Sequence, residues 1–367
     1  MSMSAWGRGA GAALVVMAVC VPAGGVGAQD IAPVNSGANP YHAIRDWAQL
    51  TREQRPWGGS NGVAIDRDGV TVWATDRCTP GPAPGCLASA ANPVHHFDAD
   101  GRETLSFGGG LMVWPHGIHV DRDGNVWVTD ARLPTADEVA KYPGADHRGS
   151  AVFKFSPEGK VLMVLGKPGV KGDPPDALTE PTDVVTDPGN GDIYVAESHT
   201  DVTDPALVGR ISVFASNGRF LRTIGRTGTG PGEFRTPHAI RFDSQGRLIV
   251  ADRHNHRIQI LTKDGTYVGA YREFSRVSGI TIDATDTIYA ADSESSPKSH
   301  PGWLRGIRIG SLKDGHVTMF VPPHKTDATP DGAMGEGIAI DARGNLYTAE
   351  ATIRGVTKYE HLGRGSP

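Results

Sequence analysis

The chain has 367 residues, 21% of them charged, and a formal charge of −5 at pH 7. That balance leaves no basic footprint for nucleic acid, and the length allows one large domain or two ordinary ones. Forty-eight glycines and an aromatic content of only 7% suit many short strands joined by tight turns.

In chain order, residues 1–28 read as a signal peptide. Arg8 is the only charge ahead of an apolar stretch, Ala12–Val21, and Val26-Gly27-Ala28 has the small-residue pattern that precedes cleavage. About ten apolar residues are too few for a permanent membrane span. The mature chain is expected to start near Gln29 and to be exported, to a periplasm or the extracellular space. Val19 is too large for the position ahead of a lipidated Cys20. Residues 29–40 follow as a flexible N-terminus, and His42–Leu50 precedes the first repeat as an unpaired candidate strand.

Six similar units then follow: GVAIDRDGVTVWATD from Gly62, GIHVDRDGNVWVTD from Gly117, DVVTDPGNGDIYVAE from Asp183, AIRFDSQGRLIVAD from Ala239, GITIDATDTIYAAD from Gly279 and GIAIDARGNLYTAE from Gly337. Each is an apolar alternation, an Asp-containing tight turn, a second alternation and an acidic stop. Side chains of Asp accept backbone N–H groups in such turns, and Gly tolerates positive φ. Further hairpins separate the units, so each is the inner half of a four-stranded meander. A period of 40 to 66 residues built from period-two strands predicts a β-propeller. The last unit, with strands at 337–341, 345–350 and 355–360, lacks an outer strand, which 42–50 is expected to supply. The expected fold class is therefore all-β, a six-bladed propeller closed by an N-terminal outer strand. It forms a single domain over 41–360 with a tail at 361–367. Cys78 and Cys86 flank a Pro/Gly loop and are expected to pair in an oxidising compartment.

Loop lengths are polarised. The second-to-third-strand loops and the loops between blades are long and share one end of a propeller, which marks the working face. Two rings of residues lie there. Ahead of the first strands stand Asn61, His116, Thr182, His238, Ser278 and Glu336. Every second blade thus offers a metal ligand, and two imidazoles with a carboxylate suit Zn²⁺ with an open position, or Fe²⁺ or Mn²⁺. After the second strands stand Arg77, Ala131, Ser198, Arg253, Ser293 and Ala351. The two arginines suit a carboxylate, because the guanidinium fork donates two parallel hydrogen bonds. His199, beside that ring, is placed to act as a general base. His95, His96, His254 and His256 are read as surface residues.

With these residues in view, the chain resembles the NHL-repeat propellers, through VADRHNHRIQ. Within them it is similar to the peptidyl-α-hydroxyglycine α-amidating lyase family, through WPHGIHVDRDGNVWVTD, EPTDVVTDPGNGDIYVAES and TPHAIRFD. The likeness covers about residues 41–360. Members of that family hold one zinc with three histidines; two match His116 and His238, and the third falls on Glu336. The family's arginines match Arg77 and Arg253, and its active-site tyrosine aligns near His199. The carboxylate of its structural calcium falls on Gly337, so the resemblance does not extend to calcium. It implies a C–N lyase that splits a carbinolamide into an amide and an aldehyde acid. One divalent metal, zinc foremost, would sit on His116, His238 and Glu336. Arg77 and Arg253 would orient the substrate carboxylate, with His199 as base. The expected partner is a small-molecule or peptide substrate bearing a carboxylate, met by a monomer.

Two other readings compete. Gluconolactonase-like propellers favour carboxylate and Asn ligands, which only Glu336 and Asn61 fit. A non-catalytic propeller of the same repeat would bind a protein or glycan through its loop-rich face. Metal content distinguishes them.

Overall fold

The computed structural model describes residues 1, 31–80, 85–199, 203, 204, 206–327 and 329–363. Apart from Met1, the segment read as a signal peptide lies outside the described residues, as do the last four residues of the tail. Within 33–367, six four-stranded antiparallel sheets succeed one another. Blade one is Val63–Ile65, Val72–Thr75, Val94–Phe97 and Glu103–Phe107; blade two is Pro115–Val120, Val126–Asp130, Ala151–Phe155 and Val161–Leu165. Blade three comprises Pro181–Thr186, Ile193–Glu197, Arg210–Phe214 and Phe220–Ile224, and blade four Pro237–Phe242, Leu248–Asp252, Arg257–Leu261 and Tyr267–Tyr271. Blade five is Gly279–Ile282, Thr287–Asp292, Gly306–Ser311 and Val317–Val321. Blade six has Gly337–Ile340, Leu346–Glu350 and Gly355–His361, and its outer strand is Tyr41–Ile44, paired from Tyr41 with His361 to Ile44 with Lys358.

The borrowed strand is shorter than the expected 42–50. Beyond Ile44 the chain turns, and Trp47, Ala48 and Leu50 leave the sheet to pack between blades six and one with Val72, Phe97, Tyr347 and Val356. Five similar apolar clusters fill the other interfaces between neighbouring blades, so the core is a ring of six wedges and not one centre. The segment read as a flexible lead-in is tied down from Val34 onward. Its Val34 carbonyl accepts from Arg308, Asn35 bonds Gly302 and Leu304, and the Ala38 carbonyl accepts from Phe320 N–H.

The Asp turns behave as their sequence suggests. Asp121 Oδ1 accepts the Asp123 and Asn125 N–H groups, and Gly124 closes the turn at φ +85°. The same carboxylate takes the Trp127 indole N–H at 3.0 Å, which locks the turn to the second strand. The acidic stops serve another purpose: they pin the long loops. Asp130 accepts Val113 and Trp114 N–H, Glu197 accepts Thr179 N–H, and Asp252 accepts Arg235 N–H.

Glu350 is the exception among these stops. It is 1% exposed, its Oε1 accepts from the Thr348 hydroxyl at 2.6 Å, the Thr357 hydroxyl also stands beside the carboxyl, and its Oε2 has no hydrogen-bond partner among the described residues. Burial pushes its carboxyl up to about 7. An acid whose folded pKa is raised contributes full stability only below its unfolded value, and that stability is lost as pH climbs from about 4.5 to 7. Glu350→Gln is therefore expected to be the more stable protein at pH 8, by on the order of 2 kcal/mol. The gap should close toward pH 5 in denaturant melts. Equal gaps at both pH values would refute the assignment.

Candidate metal centre

Innermost strands meet closely because glycine follows the ring residue in four blades. A Cβ on Gly62 would lie 2.3 Å from the His116 carbonyl oxygen, one on Gly117 2.6 Å from that of Thr182, and one on Gly279 2.2 Å from that of Glu336. The absence of a side chain there sets the spacing of the ring. Gly279→Ala should push Glu336 outward, lowering the melting temperature by several degrees through overpacking of about 1–3 kcal/mol. Metal affinity should fall with it, and an unchanged melt with unchanged metal content would exclude this steric role.

The six ring residues converge. Asn61, His116, Thr182, His238, Ser278 and Glu336 line one small axial cavity. Alternate blades supply ligand types, and the blades between them hold those ligands in place. His116 donates its Nδ1–H to the Thr182 carbonyl at 2.7 Å, and His238 donates its own to the Ser278 carbonyl at 2.8 Å. A carbonyl can only accept, so each Nδ1 carries its proton, and in the neutral ring the Nε2 lone pair is left bare. Both Nε2 atoms are buried with no hydrogen-bond partner among the described residues. Glu336 Oε2 lies 3.5 Å from His116 Nε2 and 3.7 Å from His238 Nε2. Asn61 of blade one donates its Nδ2–H to the same oxygen at 2.5 Å.

His199 joins this group from the second-to-third-strand loop of blade three. Ligand atoms of His116, His199, His238 and Glu336 all lie within 4.8 Å of one another, and the His199 ring stands edge-on to His116 with centroids 5.0 Å apart. Burial, with His116 and Arg253 close by, holds His199 well below its ordinary value, and His238 is depressed likewise by burial and Arg253. Burial opposes ionisation of Glu336, yet His116 and Arg77 hold its carboxyl well below the usual carboxylate range. Neutral imidazoles, a carboxylate and orphaned lone pairs are what a divalent cation requires. The residues fit one.

Both predicted arginines stand near the cluster, since each adds to the depression of His199. Arg77 is half-buried with its guanidinium 3.8 Å from the Trp114 ring centroid, and its Nε is buried with no hydrogen-bond partner among the described residues. Burial lowers it to about 10, so it stays charged at neutral pH. Arg253 is 5% exposed, its Nε likewise orphaned, with Glu294 at 3.4 Å. Asn255 and Arg257 have a structural role: both donate to Asp252, and Arg257 also holds the Thr229, Gly230 and Glu233 carbonyls.

Sequence reasoning missed Trp114, Arg276 and Glu294. Trp114 had a signal in the Trp-Pro-His run, whereas Arg276 sits in the loop between blades four and five and Glu294 in a blade-five loop, neither with a pattern. The surface reading of His95 is wrong: it is fully buried, bonded through Nδ1 to Glu103 at 2.8 Å. Adjacent residues on a strand face opposite sides, so His95 and His96 could not both point outward. His254 is also no free surface group, being bonded to Arg276 and Thr236. Cys78 and Cys86 form the expected disulfide, and Thr79 and Cys86 tie its loop to Gly85 and Val113. No helix among the described residues is long and apolar enough to cross a membrane.

The NHL repeat family matches residues 234–261. NHL repeat-containing protein 3 of Homo sapiens is 34% identical over 262 residues, 69% of this chain and 68% of that protein. Peptidyl-alpha-hydroxyglycine alpha-amidating lyase 2 of Drosophila melanogaster is 29% identical over 66% of this chain and 56% of its own length. Peptidyl-glycine alpha-amidating monooxygenase B of Xenopus laevis is 32% identical over 69% of this chain, which spans only 27% of that longer protein. Among solved structures, a gluconolactonase of Xanthomonas campestris superposes with a TM-score of 0.54 at 12% identity, over 90% of this chain and 98% of that one. At that identity the likeness is one of fold alone.

Proposed function

We propose, from the premise that this chain belongs to the NHL-repeat protein family, that its axial centre is the active site of an exported, metal-dependent C–N lyase acting on a carbinolamide. The observation that carries this reading is the convergence of ligand atoms of His116, His199, His238 and Glu336 within 4.8 Å, with two imidazole Nε2 atoms that have no hydrogen-bond partner among the described residues. Similarity to proteins named as amidating lyases supports the choice of reaction. The disulfide Cys78–Cys86 supports an oxidising compartment.

A divalent cation held by these four residues supplies Lewis acidity that eases loss of a hydroxyl proton. Arg77 and Arg253 bind and orient the substrate carboxylate through their forks. In the reaction the O–H and C–N bonds break, a C=O forms, and the proton ends on the departing nitrogen. The products are a primary amide and an aldehyde acid. His199 takes a donor's place here, in preference to the role of base that its sequence position suggested, because its ring nitrogen already stands among the other three ligand atoms. Three imidazoles and a carboxylate fill the four positions zinc ordinarily uses. The harder Mn²⁺ and Fe²⁺ accept more ligands and suit this set better than the zinc implied by a three-donor reading.

The test is glyoxylate release from an N-acyl-α-hydroxyglycine by purified protein, stripped and then reloaded with Mn²⁺, Fe²⁺ or Zn²⁺. Release with Mn²⁺ or Fe²⁺ is expected; none with any of the three ends the lyase reading.

A further inference from the structure

Arg253 already has a carboxylate beside it. Its Nη1 lies 3.4 Å from Glu294 Oε1, while Glu294 Oε2 accepts from Arg276 Nη2 at 2.9 Å. The two arginines are 5% and 7% exposed, and the Nε of each is buried without a hydrogen-bond partner among the described residues. Glu294, by contrast, has a side chain 37% exposed. Two buried guanidinium groups thus share a single carboxylate that approaches them from the solvent side.

Arg276 does not depend on Glu294 for its position. Its Nη2 also donates to His254 Nε2 at 2.7 Å, and the His254 Nδ1–H donates to the Thr236 hydroxyl at 2.6 Å. Accepting on one ring nitrogen and donating on the other requires a neutral imidazole, so this relay braces the arginine without competing for its charge. The contact between Arg253 and Glu294 is an ion pair too long for a good hydrogen bond, which leaves most of the Arg253 fork unspent. One arm of this arrangement is fixed, and the carboxylate between the arms is the part free to be replaced.

We propose that Glu294 is a specificity-determining residue, a resident carboxylate that fills the second anion seat between Arg253 and Arg276. A ligand bearing one carboxylate can use the unspent fork of Arg253. A second carboxylate on the same ligand meets Glu294 and is repelled. The substrate class is accordingly monoanionic at this end, an N-acyl-α-hydroxyglycine without an acidic neighbour. Removing the charge opens a two-arginine seat, and charge-assisted bonds of the kind that would form there make a gain of at least about tenfold for dianions reasonable. The inference rests on Arg253 facing the ligand, as proposed above.

Calorimetric titration of the metal-loaded protein tests it, with glycolate and malate as probes carrying one and two carboxylates. Glu294→Gln and Glu294→Ala are both made, each checked by its melt, and either folded variant decides. Malate is expected to bind the variants at least about tenfold tighter than wild type, with glycolate changed by less than about threefold. Wild type binding glycolate, with no gain for malate in the variants, overturns this inference alone. No binding of either acid by any of the proteins overturns it together with the role given to Arg253.

Discussion

Replacing His116 and His238 together by alanine should reduce bound divalent metal from one equivalent per chain to background and glyoxylate release by roughly 10³-fold or more. The size follows from a Lewis acid's contribution of several kcal/mol at about 1.4 kcal/mol per tenfold. Both imidazoles are held by backbone carbonyls of the next blade, so neither can be replaced by a shifted neighbour. Misfolding is excluded by a companion measurement. Two buried Nε2 atoms have no hydrogen-bond partner among the described residues, and a fold that leaves such groups unsatisfied loses about 1–3 kcal/mol each. The metal-free double variant should therefore melt no lower than metal-free wild type, within the few degrees expected of a small cavity. Full metal retention in the variant would sink the centre as drawn; a collapsed melt would show that the imidazoles are structural.

The second large effect is expected at Arg77. Arg77→Met keeps an unbranched stem over the Trp114 ring and removes only the charged fork. Two charge-assisted hydrogen bonds to a carboxylate are together worth about 3–5 kcal/mol, so kcat/KM should fall by roughly 10²–10⁴-fold. A carbinolamide lacking the carboxylate should be turned over equally by variant and wild type, which separates loss of recognition from general damage. The variant should also be the more stable protein. Arg77 is a half-buried charge whose Nε is buried without a hydrogen-bond partner among the described residues, and burial lowers it to about 10, a sign of the desolvation it carries. Loss of activity together with a raised melting temperature would identify a group maintained for its ligand.

Blade architecture was readable because strands repeat with period two and each unit ends on an acid, and His116, His238 and Glu336 were readable because the repeat makes the position ahead of each first strand equivalent. Three features lay beyond that logic. His199 enters the cluster from a loop whose path no repeat constrains. Residues 45–50 leave the borrowed strand because Trp47 and Leu50 gain more by filling the gap between blades six and one than by extending a sheet edge. Arg276, in the loop between blades four and five, meets Glu294, in a loop of blade five, an encounter that local pattern does not encode. Glu350 shows the converse: it looks like its five counterparts in sequence, and only its missing partner reveals the difference.

The outer strand of blade six comes from residues 41–44 and pairs with a strand more than 300 residues downstream. During synthesis the earlier strand must therefore wait for nearly the whole chain to emerge before it finds its ladder. Until then two unpaired sheet edges stand open to other chains. Contacts this distant are made slowly, since each carries the closure entropy of a very long loop. Refolding yield should accordingly fall with protein concentration, and the last event recorded in a refolding trace should be the zipping of Tyr41–Ile44 onto Lys358–His361.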